Sequence, residues 1–338
     1  MINALQHIGL GVTNAAEVYS FYRRILGFNL KIADIENDFE QMAPLLGKSE
    51  KMRIIMALNS RGGGASEFVE HISTVPRQGP EKIKWGDIGF LSSGYQVNNL
   101  PAIVQRMEKK GVRFVIRSHS FEIRDGKSCQ SAFCYDPEGN LVELVEIDFD
   151  KSAKPKVSGL AQVTIGVTDM EQSLAFYGDI LGYDHVLLDH TGTNQELAPL
   201  FGEGISFRQV LLNRSQGSTS VFPMLDGGRL RLVQTLNHQG RRIYQDRRWG
   251  DIGQMECCFD VSDIHETVEY LQSKNVGIVL PPTFLNMGSG SSGFFAYIRD
   301  PDGNLIEIVE VKKIAWLPPR IVSPLLQLLS PCFSKIIR

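Results

Sequence analysis

The chain opens on an alternation. From Leu5 to Val12, Ile8, Leu10 and Val12 fall on one face of an extended segment, and His7, Gly9 and Gly11 fall on the other. This predicts a strand with one apolar side for packing and one open side. Asn14 can cap a following helix, in which Val18, Phe21, Tyr22, Ile25 and Leu26 recur at helical spacing before Gly27 ends it. Extended patterns return at 28–33, 52–58 and 67–72, the last two separated by Arg61-Gly-Gly-Gly-Ala65. The order is βαβββ. It starts again at Phe90, with a strand to Val97, a helix from about Leu100 to Lys110, and strands near Val112, Ser128 and Leu141.

From Leu160 the whole pattern recurs. Leu5-Gln-His-Ile-Gly-Leu-Gly-Val-Thr13 matches Leu160-Ala-Gln-Val-Thr-Ile-Gly-Val-Thr168, and Phe21-Tyr22 matches Phe176-Tyr177, both at an offset of 155. Trp85-Gly-Asp-Ile-Gly89 reappears unchanged as Trp249-Gly-Asp-Ile-Gly253, at an offset of 164. A loop about nine residues longer, near 215–228, absorbs the difference. Several separate anchors therefore support a tandem duplication. The expected architecture is α+β, with a first module at 1–150, a linker at 151–157, a second module at 158–312 and an apolar tail at 313–338.

Both modules end alike, in Asp136-Pro-Glu-Gly-Asn140 and Asp300-Pro-Asp-Gly-Asn304, where Pro presets a turn and Gly supplies the positive φ to leave it. Each turn leads into an apolar strand with an acid set among Leu, Val and Ile, Glu143 in the first copy and Glu307 in the second. A buried carboxylate is costly unless it is paired, protonated or bound to a cation. Two readings stay open here: a retained site, or a structural salt bridge at a barrel mouth.

Composition removes several function classes. The net charge of −3, with charges scattered along the chain, offers no basic field for nucleic acid. Five cysteines with no Cys-x-x-Cys indicate neither a disulfide framework nor a thiolate zinc site, and a reduced, cytoplasmic setting is expected. No segment approaches transmembrane length. The tail holds one short apolar run, Leu325 to Leu329, expected to dock on the protein's own surface or on a second copy in a homodimer, with contact to a membrane surface as the alternative.

The paired βαβββ units, the Asp-Pro-x-Gly-Asn-x-x-Glu endings and the strand after each Trp-Gly-Asp-Ile-Gly resemble the vicinal-oxygen-chelate superfamily over residues 1 to about 312. That superfamily includes glyoxalase I, methylmalonyl-CoA epimerase, extradiol dioxygenases and bleomycin-resistance proteins. The resemblance implies four ligand positions per module. The first module carries His7, Glu67, Ser92 and Glu143 there, and the second carries Gln162, Arg231, Glu256 and Glu307. Strand parity independently turns Glu256 away from Met255, Cys257, Phe259 and Val261. Ser92 is a weak ligand, and Arg231 would repel a cation but could clamp a substrate carboxylate.

The family closes its half-barrels either within one module or by exchange between modules. The exchanged pairing, the preferred expectation, gives one site of His7, Glu67, Glu256 and Glu307. The other site would hold Gln162, Arg231, Ser92 and Glu143. One His with three carboxylates suits a divalent Zn, Ni, Mn, Co or Mg ion. By resemblance, the activity would be that of a glyoxalase-type lyase or isomerase. A small vicinal-oxygen substrate would pass through an enediolate, with Glu307 or Glu256 as general base. Two alternatives accompany it: an Fe-dependent dioxygenase, and a metal-free small-molecule binding protein.

Overall fold

A computed structural model describes residues 1–80, 82–124, 126–147, 154–222, 224–288 and 291–314. The first unit of the first module supplies β1 (Ile2–Val12), β2 (Leu30–Asp38), β3 (Lys51–Leu58) and β4 (Ala65–His71), and its second unit supplies β5 (Gly89–Asn98), β6 (Phe114–Ile123), β7 (Lys127–Tyr135) and β8 (Leu141–Ile147). The second module repeats the scheme. Its strands are β9 (Lys156–Gly166), β10 (His185–Gly192), β11 (Phe207–Asn213), β12 (Arg229–Thr235), β13 (Gly253–Val261), β14 (Ile278–Gly288), β15 (Ser291–Arg299) and β16 (Leu305–Lys313). The α+β expectation holds: the strands form two curled, mixed, eight-stranded sheets, with helices few and short. The expected linker residues 151–153 and the tail from 315, with its Leu325–Leu329 run, lie outside the described residues.

Neither sheet belongs to one module. The first runs β14-β15-β16-β13-β1-β4-β3-β2 and the second β10-β11-β12-β9-β5-β8-β7-β6. Each joins the opening unit of one module to the closing unit of the other, through antiparallel pairs β1–β13 and β5–β9. The loop between β11 and β12 is longer than its counterpart between β3 and β4, as the change of offset requires, and it straps the modules together. Gly227 O accepts from Leu5 N (3.1 Å), and Thr219 Oγ1 donates to Asn3 Oδ1 (2.9 Å).

The capping expectation also holds. Asn14 Oδ1 accepts from Glu17 N at 3.0 Å, an interaction worth roughly 1 kcal/mol. The helix Ala15–Phe21 then widens into a π turn, Tyr22–Leu26, before Gly27 leaves at φ +79°. Tyr22 OH donates to the buried Asp136 carboxylate (3.2 Å), and Tyr177 OH does the same to Asp300 (2.8 Å). Each closing turn is thus tied to the first helix of its own module. Burial pushes the Asp136 carboxyl up to about 6, against the hydrogen bonds it accepts from Asn140, Tyr22 and Glu138 N. Ile8, Leu10, Val12, Val163, Ile165, Cys257 and Phe259 share one core beneath the helices of both sheets. The opposite face of β1 is left for His7, Gly9 and Gly11.

Candidate metal centre

In the first sheet, strand pairing sets four polar side chains against one another. His7 lies opposite Cys258 across the β1–β13 pair, while Gly9 lies opposite both Glu256 on β13 and Glu67 on β4. Glu307 on β16 sits beside Cys258 in parallel register. Gly9 is what makes this approach feasible: a Cβ there would stand 2.6 Å from Glu256 Oε1 and 2.7 Å from its Cγ. His7 Nε2 comes within 3.1 Å of Glu307 Oε2 and 3.8 Å of Glu67 Oε2. One potential ligand atom each from His7, Glu67 and Glu256 falls within a 4.8 Å group, as does one each from His7, Cys258 and Glu307.

The supports of these groups are ordered. His7 Nδ1–H donates to Gln6 Oε1 (3.0 Å), which turns the Nε2 lone pair toward the carboxylates. Trp249 Nε1–H donates to Glu256 Oε2 (2.7 Å). The Trp249 backbone is itself held by the first module, where His71 Nε2 meets Trp249 O (3.2 Å) and His71 Nδ1 meets Glu50 (2.8 Å). Glu67 and Glu307 keep a little solvent exposure, whereas Glu256 has none. The cluster therefore opens on the Glu67–Glu307 side and is closed behind Glu256.

Charge crowding follows from this geometry. Burial, and then the charges of Glu307 and Glu256 working against His7, push the Glu67 carboxyl up to about 8. Burial and the Glu307 charge hold Glu256 well above the usual carboxylate range. Burial lowers His7, but the close carboxylates of Glu307 and then Glu67 outweigh it and leave the imidazole above its ordinary value. Buried His7 Nε2 and Glu256 Oε1 have no well-formed hydrogen bond. Three carboxylates thus gather about the His7 nitrogen in two overlapping groups, and this donor set fits a divalent cation.

The second sheet answers the same problem differently. Arg231 Nη1 donates to both oxygens of Glu143 (2.8 Å each), Gln162 Nε2 donates to Glu143 Oε2 (3.0 Å), and Ser131 Oγ donates to Glu143 Oε1 (2.6 Å). The guanidinium also lies over Trp85, 5.1 Å from the ring centroid. Ser92 stands where Glu256 stands in the first sheet. The indole N–H of Trp85, whose counterpart in Trp249 donates to Glu256, has no partner among the described residues, and neither does Ser92 Oγ. Arg231 accordingly engages a carboxylate of its own chain, Glu143.

Sequence reasoning placed all eight residues in these two clusters but missed their supports. Cys258, Gln6, Trp249 and His71 contribute to the first. Cys258 was available from parity, since it shares a strand face with Glu256; His71 and Gln6 carry no signal without the pairing. One detail of parity is corrected. Met255 does not pack with Cys257, Phe259 and Val261 but with Trp249, Tyr297 and Leu305. The reason is a bulge, because Gly9 pairs with Glu256 while Leu10 pairs with Gln254, which leaves Met255 out of phase.

Comparison with known proteins agrees with this architecture. Comparison with curated sequences finds no significant match. Glyoxalase I from Zea mays has 16% identity, with 96% of each chain covered and a TM-score of 0.57. A putative dioxygenase from Bacillus subtilis has 18% identity, with 91% of this chain and 85% of that one covered and a TM-score of 0.59. At such identities the likeness is one of fold. The sequence profile of the Glyoxalase/Bleomycin resistance protein/Dioxygenase superfamily matches residues 4–144 and 159–308. With both repeats matched, the chain belongs to that superfamily.

Proposed function

We propose that the first sheet houses a divalent metal ion held by His7, Glu67, Glu256 and Glu307, and that the protein is a glyoxalase-type lyase or isomerase of a small substrate with oxygens on adjacent carbons. The observation behind this reading is the convergence of one imidazole and three buried carboxylates, set against a second sheet in which Arg231 supplies the positive charge. A metal in such a site supplies Lewis-acid polarisation of the substrate oxygens. His7, oriented by Gln6, and Glu256, fixed by Trp249, are the rigid members. Glu307 lies on the open side, grouped with His7 and Cys258. It is the member best placed to swing out, take the proton from the hydroxyl-bearing carbon and return it to the adjacent carbonyl carbon. Glu256, pinned and closed off, serves as ligand rather than base, although the sequence named both.

The dioxygenase alternative gains little from this geometry, since a two-His, one-carboxylate set is absent from the four positions. The metal-free binding alternative fits the second sheet and not the first. Elemental mass spectrometry on the untagged protein tests the proposal. Metal near one per chain should vanish in Glu307→Ala and survive in Glu143→Ala. A protein that takes up no divalent ion under any loading condition would remove the basis of the proposed reaction.

A further inference from the structure

Away from the carboxylate cluster, a pocket of about 450 Å³ lies between the end of the first helix, the loop after β3 and the helix Leu100–Glu108, with Val157 of the second module at its wall. Its charged lining is Arg23, Arg24, Arg61, Arg106 and Lys110, and no carboxylate of the described residues lines it. Two of these cations have structural employment: Arg24 Nε donates to Ser20 O (3.3 Å), and Lys110 Nζ donates to Arg24 O (2.8 Å). Cations near helix C-termini also offset the backbone dipole, which accounts for a helical arginine without any ligand. Arg61 is on no helix. It belongs to a loop whose conformation is fixed from below, where Asn59 Nδ2 donates to Leu26 O (2.9 Å) and to Val157 O (3.1 Å), and Asn29 Nδ2 donates to Ser60 Oγ (3.0 Å). Partial burial and the charge of Arg61 hold Arg106 below its ordinary value. The chain therefore holds like charges together over a rigid polar floor.

We infer that this pocket is a binding site for a small, multiply charged oxyanion of the phosphate class. Guanidinium groups match phosphate oxygens two at a time, and several cations around one concavity favour an anion with more than one charged group over a single carboxylate. The volume lies within the range of small-ligand sites. Such an occupant would offset the repulsion between Arg61 and Arg106.

Pyrophosphate is a suitable probe, titrated calorimetrically at low ionic strength into the full chain and into Arg61→Ala, Arg106→Ala and His7→Ala variants. Saturable binding near one per chain is expected, weakened about tenfold or more by either arginine substitution and unchanged by His7→Ala. Without pyrophosphate, the two arginine variants should melt at the same temperature as the parent or higher, because each removes a repelled charge. Three results would overturn the inference. The first is no saturable binding, and the second is binding abolished by His7→Ala but kept by the arginine variants, which would place the anion at the carboxylate cluster. The third is displacement by sodium chloride as effective, at equal ionic strength, as displacement by inorganic phosphate, which would mark simple charge screening.

Discussion

Glu143 and Glu307 close equivalent strands after equivalent turns, yet one meets a guanidinium and the other an imidazole. Both are buried, so each must be compensated, and the partners differ because Arg231 and Glu67 occupy corresponding places on β12 and β4. The sequence identified these correspondences through the repeat. It could not reveal that Arg231 would bind its own chain's carboxylate, since whether two side chains meet depends on which sheet each strand joins. The Arg231–Glu143 pair has a measurable consequence. Arg231→Met should cost about 3–5 kcal/mol in chemical denaturation, because buried Glu143 loses its cation and keeps only the neutral donors Gln162 and Ser131. Arg231→Met combined with Glu143→Leu should recover most of that loss. If the double variant is as unstable as the sum of the singles, the pair is not the unit of compensation.

Strand β1 does two jobs through alternate residues. Its apolar face builds the core, and its other face carries His7 followed by two glycines that let neighbours approach. The alternation was readable from sequence; the reason for the glycines was not, because the atoms they admit come from residues some 240 positions away. The two glycines should respond differently to a methyl group. At Gly9 the added carbon meets the Glu256 side chain, so Gly9→Ala should fold, yet bind metal at least about tenfold more weakly by displacing a ligand. At Gly11 it would stand 2.0 Å from Asp251 O, which is backbone, so Gly11→Ala should lose about 3 kcal/mol or more in stability. Thermal melting and metal titration of the two variants separate the effects, and equal metal loss in both would argue against a specific role for Gly9. The bulge at Met255 shows where period-two reasoning stops, since a single extra residue reverses the phase of what precedes it.

At the scale of the whole molecule, the repeat and the βαβββ order were legible because they are written in local pattern. The exchange of units was only one of two permitted closures, since no local pattern distinguishes pairing β1 with β5 from pairing it with β13. A fragment of residues 1–150 tests what the exchange demands. It retains β1 and β5 but lacks both of their antiparallel partners, so it should assemble as a dimer through those edges, with His7, Glu67, Ser92 and Glu143 brought together and weaker metal binding than the full chain. Size-exclusion chromatography with light scattering reads the assembly. A monomeric fragment binding metal as tightly as the intact protein would mean that module one completes its own site. The exchange also separates the unit of inheritance from the unit of chemistry. A duplicated module contributes half of each cluster, so a change in its opening unit falls on one site and a change in its closing unit on the other. Transplanting a single module into a relative would therefore disturb two centres while completing neither.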